Sequence, residues 1–156
     1  MSEVELFPGY VSRLGLGVIP REELARHSGL VLLRRLIAGE YTAPPMAGTL
    51  NFGLTEVDHG RAVFRGVPNE RHLNPLGAVH GGWAATIMDS ALGCAVHTTM
   101  VIGEAYTTAE FKVNLLRPPG EVVCESRVVH RGRTLAVSDR RRFSRCSDDR
   151  LLLRVP

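Results

Sequence analysis

The chain has little of what disulfide-rich, zinc-binding and membrane proteins depend on. It contains three cysteines among 156 residues, Cys94, Cys124 and Cys146, and they form no CxxC pair. An odd number without that spacing argues against a disulfide framework or a zinc knuckle. No apolar run approaches the ~20 residues that span a bilayer, and the start MSEVELFPGY lacks the features of a signal peptide. We therefore expect a cytoplasmic protein without a membrane partner.

Aromatic residues and lysine are also scarce. Phe, Trp and Tyr make up 6% of the chain, and no basic run is interleaved with them. A stacking platform for single-stranded nucleic acid is therefore not expected. Lys112 is the only lysine, so arginine carries nearly all the positive charge in a chain of net charge +3. This bias fits phosphate recognition by guanidinium groups, and it equally fits a genome-wide preference for arginine codons.

Patterns in the first half of the chain predict a helix, an interruption and a β-hairpin. Residues 20–39 carry the signals of one helix, with Pro20 at its start and Gly39 at its end. The stretch TAPPMAG, residues 42–48, is predicted to break regular structure. Alternating apolar residues then predict strands over 50–55 and 61–67 around a turn at 58–60, and a loop over 68–82.

The second half predicts a central helix followed by strands. Residues 83–96 are apolar almost all round, which is typical of a helix in the middle of a domain. Strands are predicted over 107–118, 121–130 and 134–139, with a turn in the HRGR motif. One buried helix among antiparallel strands gives an α+β class. We expect an N-terminal segment, residues 1–19, and a single domain over residues 20–156.

The only acid of the central helix, Asp89, suggests a reactive site. Burying an unpaired carboxylate is costly, so Asp89 is bonded to a nearby hydroxyl such as Thr86 or Ser90, lies at a rim, or has a use. Gly81 and Gly82 precede the helix, and bare N–H groups at its positive end suit a developing oxyanion. An acid together with an oxyanion hole indicates acyl transfer.

The spacing of these residues predicts a dimer. Eight residues separate Gly81 from Asp89, which is ~12 Å along a helix that rises ~1.5 Å per residue. Both therefore cannot touch one carbonyl carbon in a single chain. Two antiparallel helices across a two-fold axis would bring Asp89 of one protomer to the helix start of the other.

Several runs resemble the hotdog-fold acyl-CoA thioesterases of the phenylacetic-acid-degradation (PaaI-type) group: GLVLLRRLIAGEYTAPPMAGTLNF, NPLGAVHGGWAATIMDSALGCAVHT, YTTAEFKVNLLRP and VVHRGR. The match covers about residues 20–138. Its most specific part is the combination of Asn74 six residues before His80, the HGG motif, Asp89 nine residues after His80, and HRGR downstream.

The resemblance implies a long helix wrapped by a curved antiparallel sheet. It also implies a homodimer with a shared sheet, usually doubled into a tetramer, that hydrolyses acyl-CoA without a metal or redox cofactor. In this group the acid at Asp89 is the general base for water or the nucleophile that forms an anhydride. The Gly81 N–H polarises the thioester carbonyl with Gly82 beside it, and Asn74 holds the water or the thioester.

The remaining site residues follow from the same resemblance. A hydroxyl after the helix positions the water or the acid; Thr108 is in register for it, and Thr107 is the alternative if the register shifts by one. His80 is expected to fix the loop or touch the thioester rather than to titrate. Trp83 is a candidate wall of the substrate pocket. No histidine or cysteine spacing suits a metal ligand set.

Three arginines are candidate contacts for the phosphates of coenzyme A. They are Arg117, Arg131 and Arg133, the last two in the HRGR motif. The alternative is that Gly132 makes a hairpin turn and the arginines are solvated flanks. The tail RRRFSRCSDDRLLLRVP, within residues 139–156, departs from the group, and three successive arginines interrupt the alternation expected of its last strand.

Two other functions fit parts of the sequence. Hotdog hydratases and dehydratases carry a catalytic histidine five residues after the acid, where this chain has Cys94. A non-catalytic acyl-CoA sensor could use EELARHSGLVLLRR as part of a DNA-binding head, but one helix is too little for that motif. Thioester hydrolysis is therefore the function we expect.

Overall fold

The computed structural model describes residues 3–115 and 120–144, with side chains as far as residue 140. Three helices follow a small N-terminal hairpin, and a four-stranded sheet with one long helix makes the rest. The hairpin strands are β1 (Val4–Phe7) and β2 (Tyr10–Ser12), and the helices are α1 (Arg21–Arg26), α2 (Gly29–Ile37) and α3 (Pro45–Leu50). The remaining elements are β3 (Phe52–Asp58), β4 (Arg61–Gly66), a 3₁₀ turn (Glu70–His72), α4 (Gly81–His97), β5 (Val122–Arg131) and β6 (Ala136–Ser144).

The prediction of one helix over residues 20–39 is wrong, because the chain turns between α1 and α2. His27 and Ser28 are extended, with ψ of 147° and 158°. Gly29 then lies against the end of α4, where its N–H donates to the Met100 carbonyl at 3.1 Å. This tertiary contact overrides the local helical signals. The predicted end is confirmed, since Gly39 has a φ of +77° just beyond α2.

The predicted interruption over residues 42–48 is also wrong, because α3 begins there. Pro45 occupies the first helical position, where its missing N–H costs nothing. Asn51, with a φ of +51°, ends this helix in the left-handed region and directs the chain into β3. The first strand therefore begins at Phe52, two residues later than the alternation predicted.

The sheet is antiparallel in the order β3-β4-β5-β6, and α4 packs across one face of it. The predicted central helix is confirmed and begins two residues earlier, at Gly81. The turn at 58–60 is confirmed as well, with Gly60 at a φ of +74°. The core between helix and sheet is formed by buried side chains that include Phe52, Phe64, Trp83, Ile87, Met88, Val122 and Cys124. Among the described residues, no helix is long and apolar enough to cross a membrane.

The strand predicted over 107–118 is not present in its described part, residues 107–115. The alternation still sets the direction of the side chains, because Phe111 and Val113 pack on the core while Lys112 and Asn114 are exposed. A strand also needs a hydrogen-bonded neighbour, and alternation carries no information on that partner. Residues 116–118 lie outside the described part of the chain.

The run of three arginines shifts the register of the sheet but does not end it, since Glu125 pairs with Arg142 and the next residue, Ser126, pairs with Arg140. β6 passes through the run and pairs with β5 from Arg131↔Ala136 to Val123↔Ser144. Because backbone hydrogen bonds make this ladder, charged side chains do not prevent it. The rest of the atypical tail, residues 145–156, lies outside the described residues.

Candidate active site

The first turn of α4 is capped by the side chain that precedes it. The Nδ1 atom of His80 accepts a hydrogen bond from the Gly82 N–H at 2.9 Å. Nδ1 is therefore unprotonated, and in the neutral ring Nε2 carries the hydrogen. The prediction of two bare N–H groups is wrong for Gly82, whose N–H is occupied. The N–H of Gly81 has no acceptor within the described part of the chain and lies at the positive end of the helix.

Asn74 folds the loop before α4 upon itself. Its side-chain oxygen accepts from the N–H groups of Leu76 and Ala78, at 2.9 and 3.1 Å. The backbone repeats the contact, because the Asn74 N–H donates to the Ala78 carbonyl at 2.8 Å. With the oxygen occupied, the half-buried side chain has its amide Nδ2 left as a donor. Asn74 is thus both a loop-forming residue and a hydrogen-bond donor close to His80.

His72, to which the sequence assigned no functional role, anchors this loop. The carbonyl of His72 accepts from the His80 N–H at 2.8 Å, and Leu73 pairs with Val79 in an antiparallel bridge. The ring of His72 is buried and takes part in a capping box with Asn69. The spacing N-x-x-H in NERH was the available signal, since it matches the capping-box pattern with a histidine in place of Glu or Gln.

Asp89 lies in the middle of α4 and is bonded from outside the helix. The Thr108 hydroxyl donates to its Oδ1 atom at 3.1 Å. Neither Thr86 nor Ser90 takes that role, and the Thr86 hydroxyl donates to the Gly82 carbonyl instead. Asp89 is half-buried on α4, and both Thr107 and Thr108 are exposed. Of the two threonines, Thr108 is the one that the fold brings to the carboxylate.

The apolar surroundings of Asp89 keep its neighbours protonated. Burial raises the pKa of the Cys94 thiol to about 12, and the charge of Asp89 adds to the effect. Burial also raises the pKa of Tyr106, whose ring lies over the gap that Gly93 leaves in α4. A protonated thiol is a poor nucleophile at neutral pH. Cys94 is thus a residue that packs against the core and not an activated nucleophile.

The candidate phosphate contacts differ in what they bind. Arg131 is already paired, since its guanidinium donates to Glu104 at 2.8 Å and to the Gly132 carbonyl. A phosphate would therefore compete with Glu104 for Arg131, and the role of Arg131 as a phosphate contact stays a prediction. Arg133 is exposed in the turn between β5 and β6. Arg117 lies outside the described residues.

A pocket of about 270 Å³ opens beside the start of α4. Its lining combines apolar and polar residues: Leu50, Arg71, His72, Leu73, His80, Gly82, Trp83 and Thr86. Trp83 is only 3% exposed and forms part of the wall. Pockets for whole drug-sized ligands span ~300–1,000 Å³, so this one suits a part of a larger substrate.

The site residues form two groups within one chain. The first group lies at the start of α4 and consists of Asn74, His80 and Gly81. The second is Asp89, eight residues further along the helix and ~12 Å away along its axis, together with Thr108, which bonds to it. In the described part of the chain, His, Cys, Asp and Glu side chains nowhere gather in threes as a metal ion would require. Within one chain, the candidate acid and the candidate oxyanion donors are therefore separated along α4.

The thioesterase superfamily profile matches residues 76–141, which include the start of α4, Asp89 and Thr108. A protein of Halobacterium salinarum named "putative esterase" is 36% identical over 103 residues, which is 53% of this chain and 68% of that protein.

Solved structures give the same result. A thioesterase-like phenylacetic acid degradation-related protein of Ralstonia eutropha JMP134 superimposes with a TM-score of 0.62 at 29% identity, over 68% of this chain and 83% of that one. A thioesterase family protein of Silicibacter pomeroyi gives 0.60 at 29% identity, over 68% and 79%. The chain therefore belongs to the thioesterase superfamily and has the hotdog fold.

Proposed function

We propose that the protein hydrolyses acyl-CoA thioesters to the free acid and coenzyme A, and that each active site combines residues of two protomers. The hydrogen bond from Thr108 to Asp89 carries the proposal. It fixes one carboxylate oxygen on the face of α4 and leaves Oδ2 without a hydrogen-bond partner among the described residues. A carboxylate held in this way can take a proton from water or attack a carbonyl carbon.

Two routes of hydrolysis can use Asp89 and the proposed oxyanion donors. In the first, Asp89 removes a proton from water, the hydroxide adds to the thioester carbonyl, and the C–S bond then breaks to release the thiol. In the second, Oδ2 of Asp89 adds to the carbonyl, the thiolate leaves, and water hydrolyses the resulting anhydride. Both routes place negative charge on the carbonyl oxygen, and neither needs a metal or redox cofactor.

Stabilisation of that charge is assigned to the start of α4. The Gly81 N–H has no acceptor among the described residues and points along the positive end of a 17-residue helix. The side-chain amide of Asn74 is a second donor, because its oxygen is held by the loop. His80 acts as the helix cap. We assign Gly82 to the support of this turn, since its N–H is bonded to His80.

A two-protomer site solves the distance problem along α4. Asp89 and Thr108 of one protomer would face Asn74 and Gly81 of its partner, and the two-fold axis would generate a second, equal site. A homodimer is thus the smallest active unit, and a tetramer would be two such dimers. The members of each half-site are already ordered within one chain.

The acyl group and the coenzyme A phosphates are assigned to binding sites by their chemistry. The pocket of about 270 Å³ beside Trp83 takes a compact, mainly apolar acyl group, aryl-acyl or short to medium chain. Arg133, exposed after β5, is the better of the two HRGR arginines for a coenzyme A phosphate, because Arg131 is paired with Glu104.

A panel assay tests the activity. Free-thiol release from phenylacetyl-, benzoyl-, hexanoyl- and palmitoyl-CoA is followed spectrophotometrically with the purified protein. We expect turnover of the compact acyl groups and little of palmitoyl-CoA. A folded protein that binds acyl-CoA but hydrolyses none of the four would contradict the proposal and favour a sensor.

Subunit complementation tests the shared site. Gly81→Pro removes the proposed oxyanion donor at a helix position that accepts proline, and Asp89→Asn removes the base. In a heterodimer of the two inactive variants, one site carries both lesions and the other carries none. Random mixing makes half the dimers mixed, so about a quarter of the wild-type activity should return. No recovery after verified subunit exchange would contradict a two-protomer site.

A further inference from the structure

Two successive carbonyls at the end of α3 accept hydrogen bonds from aromatic rings on either side of the candidate active-site loop. The Nε2 atom of His72 donates to the Thr49 carbonyl at 2.9 Å, and the Nε1 atom of Trp83 donates to the Leu50 carbonyl at 2.6 Å. The last carbonyls of a helix have no partner inside it. Here two side chains from the region of the site satisfy them.

A third bond extends this pattern. The Val67 N–H donates to the carbonyl of Asn51, the residue that ends α3, at 2.9 Å. The end of α3 therefore holds the stretch 67–83 at its beginning, at His72 and at Trp83. This stretch contains Asn74, the HGG motif and the pocket wall. We refer to the two ring contacts, His72 with Thr49 and Trp83 with Leu50, as the α3 clamp.

The ring of His72 is fixed by both of its nitrogens. Nδ1 accepts from the Asn69 N–H at 2.9 Å, so the hydrogen must reside on Nε2, where it donates to Thr49. The residue is 6% exposed. A buried ring with both nitrogens bonded cannot turn without leaving a polar group unsatisfied, which is costly. His72 is thus held in one orientation.

The clamp connects directly to the proposed oxyanion site. The His72 carbonyl accepts from the His80 N–H at 2.8 Å, and His80 in turn caps α4 through Gly82. On the other side of His80, Trp83 lies in the first turn of α4, and its backbone N–H donates to the His80 carbonyl at 3.0 Å. His80 and the N–H of Gly81 therefore lie between two anchored residues.

We propose that His72 and Trp83 are positioning residues, which hold the start of α4 and its pocket in a preformed geometry through the end of α3. This inference rests on the proposed function for its kinetic consequence, because it assigns the clamp to the oxyanion half of the site. The geometry itself does not depend on which thioester is hydrolysed.

Two isosteric substitutions separate the bonds of His72. In His72→Asn, the amide oxygen takes the place of Nδ1 and keeps the bond to Asn69, but the bond to Thr49 is lost. In His72→Gln, the amide nitrogen takes the place of Nε2 and keeps the bond to Thr49.

Trp83→Phe removes the donor to Leu50 and keeps an aromatic ring. His59→Asn, at an exposed position in the turn between β3 and β4, is the matched control.

Amide hydrogen exchange of the purified variants measures how firmly the loop before α4 is held, and it needs no substrate. We expect exchange in peptides over residues 73–80 to be at least tenfold faster in His72→Asn and Trp83→Phe, and close to wild type in His72→Gln and His59→Asn. The C-terminal half of α4 should keep its protection. Unchanged exchange in both His72→Asn and Trp83→Phe would overturn the proposal. An equal loss of amide protection in His72→Gln and His72→Asn would overturn it as well.

Kinetics on the best acyl-CoA substrate give the second readout. We expect kcat to fall about tenfold in His72→Asn with KM within twofold, and His72→Gln to recover most of that loss. A parallel fall of kcat in both His72 variants, in step with their melting temperatures, would indicate a merely structural role. If the wild type hydrolyses no thioester, the proposed function fails, whereas the exchange data still decide whether the clamp orders the loop.

Discussion

The hydroxyl of Thr108 donates to the Asp89 carboxylate at 3.1 Å and joins the segment after α4 to the middle of that helix. The contact orients one oxygen of the acid and leaves the other for water or substrate. It also decides between two adjacent threonines, because both are exposed and the hydroxyl that donates to Asp89 is that of Thr108.

Removal of this hydroxyl should slow turnover without affecting the fold. A hydrogen bond to a charged group contributes ~1.5–3 kcal/mol, so we expect Thr108→Val to lower kcat about tenfold or more. Thr108→Ser keeps the hydroxyl and should stay within threefold of wild type, and Thr107→Val should have no effect. Steady-state kinetics on one acyl-CoA measure all three. A larger loss in Thr107→Val than in Thr108→Val would show that the register is wrong.

The role of His80 as a helix cap can be separated from acid–base chemistry. In His80→Asn, the amide oxygen can replace Nδ1 as the acceptor for the Gly82 N–H, since asparagine is a favoured N-cap residue. We expect this variant to keep its melting temperature and most of its kcat. His80→Ala loses the cap, which typically costs ~0.5–2 kcal/mol.

Thermal unfolding and a pH–rate profile check this prediction. Because His80 is assigned to capping and not to proton transfer, we expect the acid limb of the profile to be the same for wild type and His80→Asn. Loss of that limb in His80→Asn would identify His80 as a titrating catalytic group instead.

The raised pKa values of two cysteines predict a lower free energy of unfolding at alkaline pH. Burial raises the pKa of Cys94 and of Cys124 from 9.0 to about 12. The folded chain thus keeps protons that the unfolded chain loses above pH 9, and the free energy of unfolding falls as pH rises toward 12. Burial raises the pKa of Tyr106 as well, which acts in the same direction.

Melting temperatures from pH 8 to pH 11 measure this loss. We expect Cys94→Ala, which removes one of the titrating groups, to flatten the curve relative to wild type. Parallel curves for the two proteins would contradict a raised thiol pKa at this position.

Gly29 is required by the close approach of α2 to the end of α4. A Cβ atom at this position would lie 1.8 Å from the His97 carbonyl oxygen, which is backbone and cannot rotate away. We expect Gly29→Ala to destabilise the protein by at least ~2 kcal/mol, or ~4–8 °C in Tm for a chain of this size. Val31→Ala, at an exposed position of the same helix, is the control and should change Tm little. Equal Tm values for the two variants would contradict the close contact.

The same glycine explains why the first helix was predicted too long. The signals at Pro20 and Gly39 are local, and both ends of the helical region were found from them. The break at His27 and Ser28 depends on the contact of Gly29 with the end of α4, roughly 70 residues away in sequence. Such a tertiary contact leaves no periodicity to detect.

The features of the candidate site likewise divide into those that the sequence reveals and those that depend on the fold. Asp89 and Gly81 could be inferred from the residues themselves, because an isolated acid and a glycine pair are visible in the sequence, whereas Asn74 followed from the resemblance to the PaaI-type group. The occupation of the Gly82 N–H by His80 and the pairing of Arg131 with Glu104 could not be inferred, since each depends on a rotamer set by the fold. The α3 clamp was inaccessible for the same reason, because backbone carbonyls leave no trace in sequence.

Substitution of Asp89 tests the central claim most directly. Thiol release from the best acyl-CoA is measured for wild type, Asp89→Asn and Glu110→Gln, an exposed acid on the segment that carries Thr108. Since general-base catalysis contributes ~10²–10⁴-fold, we expect Asp89→Asn to lose at least a hundredfold in kcat while its dimer and Tm persist, and Glu110→Gln to retain full activity. Wild-type turnover in folded Asp89→Asn would contradict the assignment of this carboxylate as base or nucleophile.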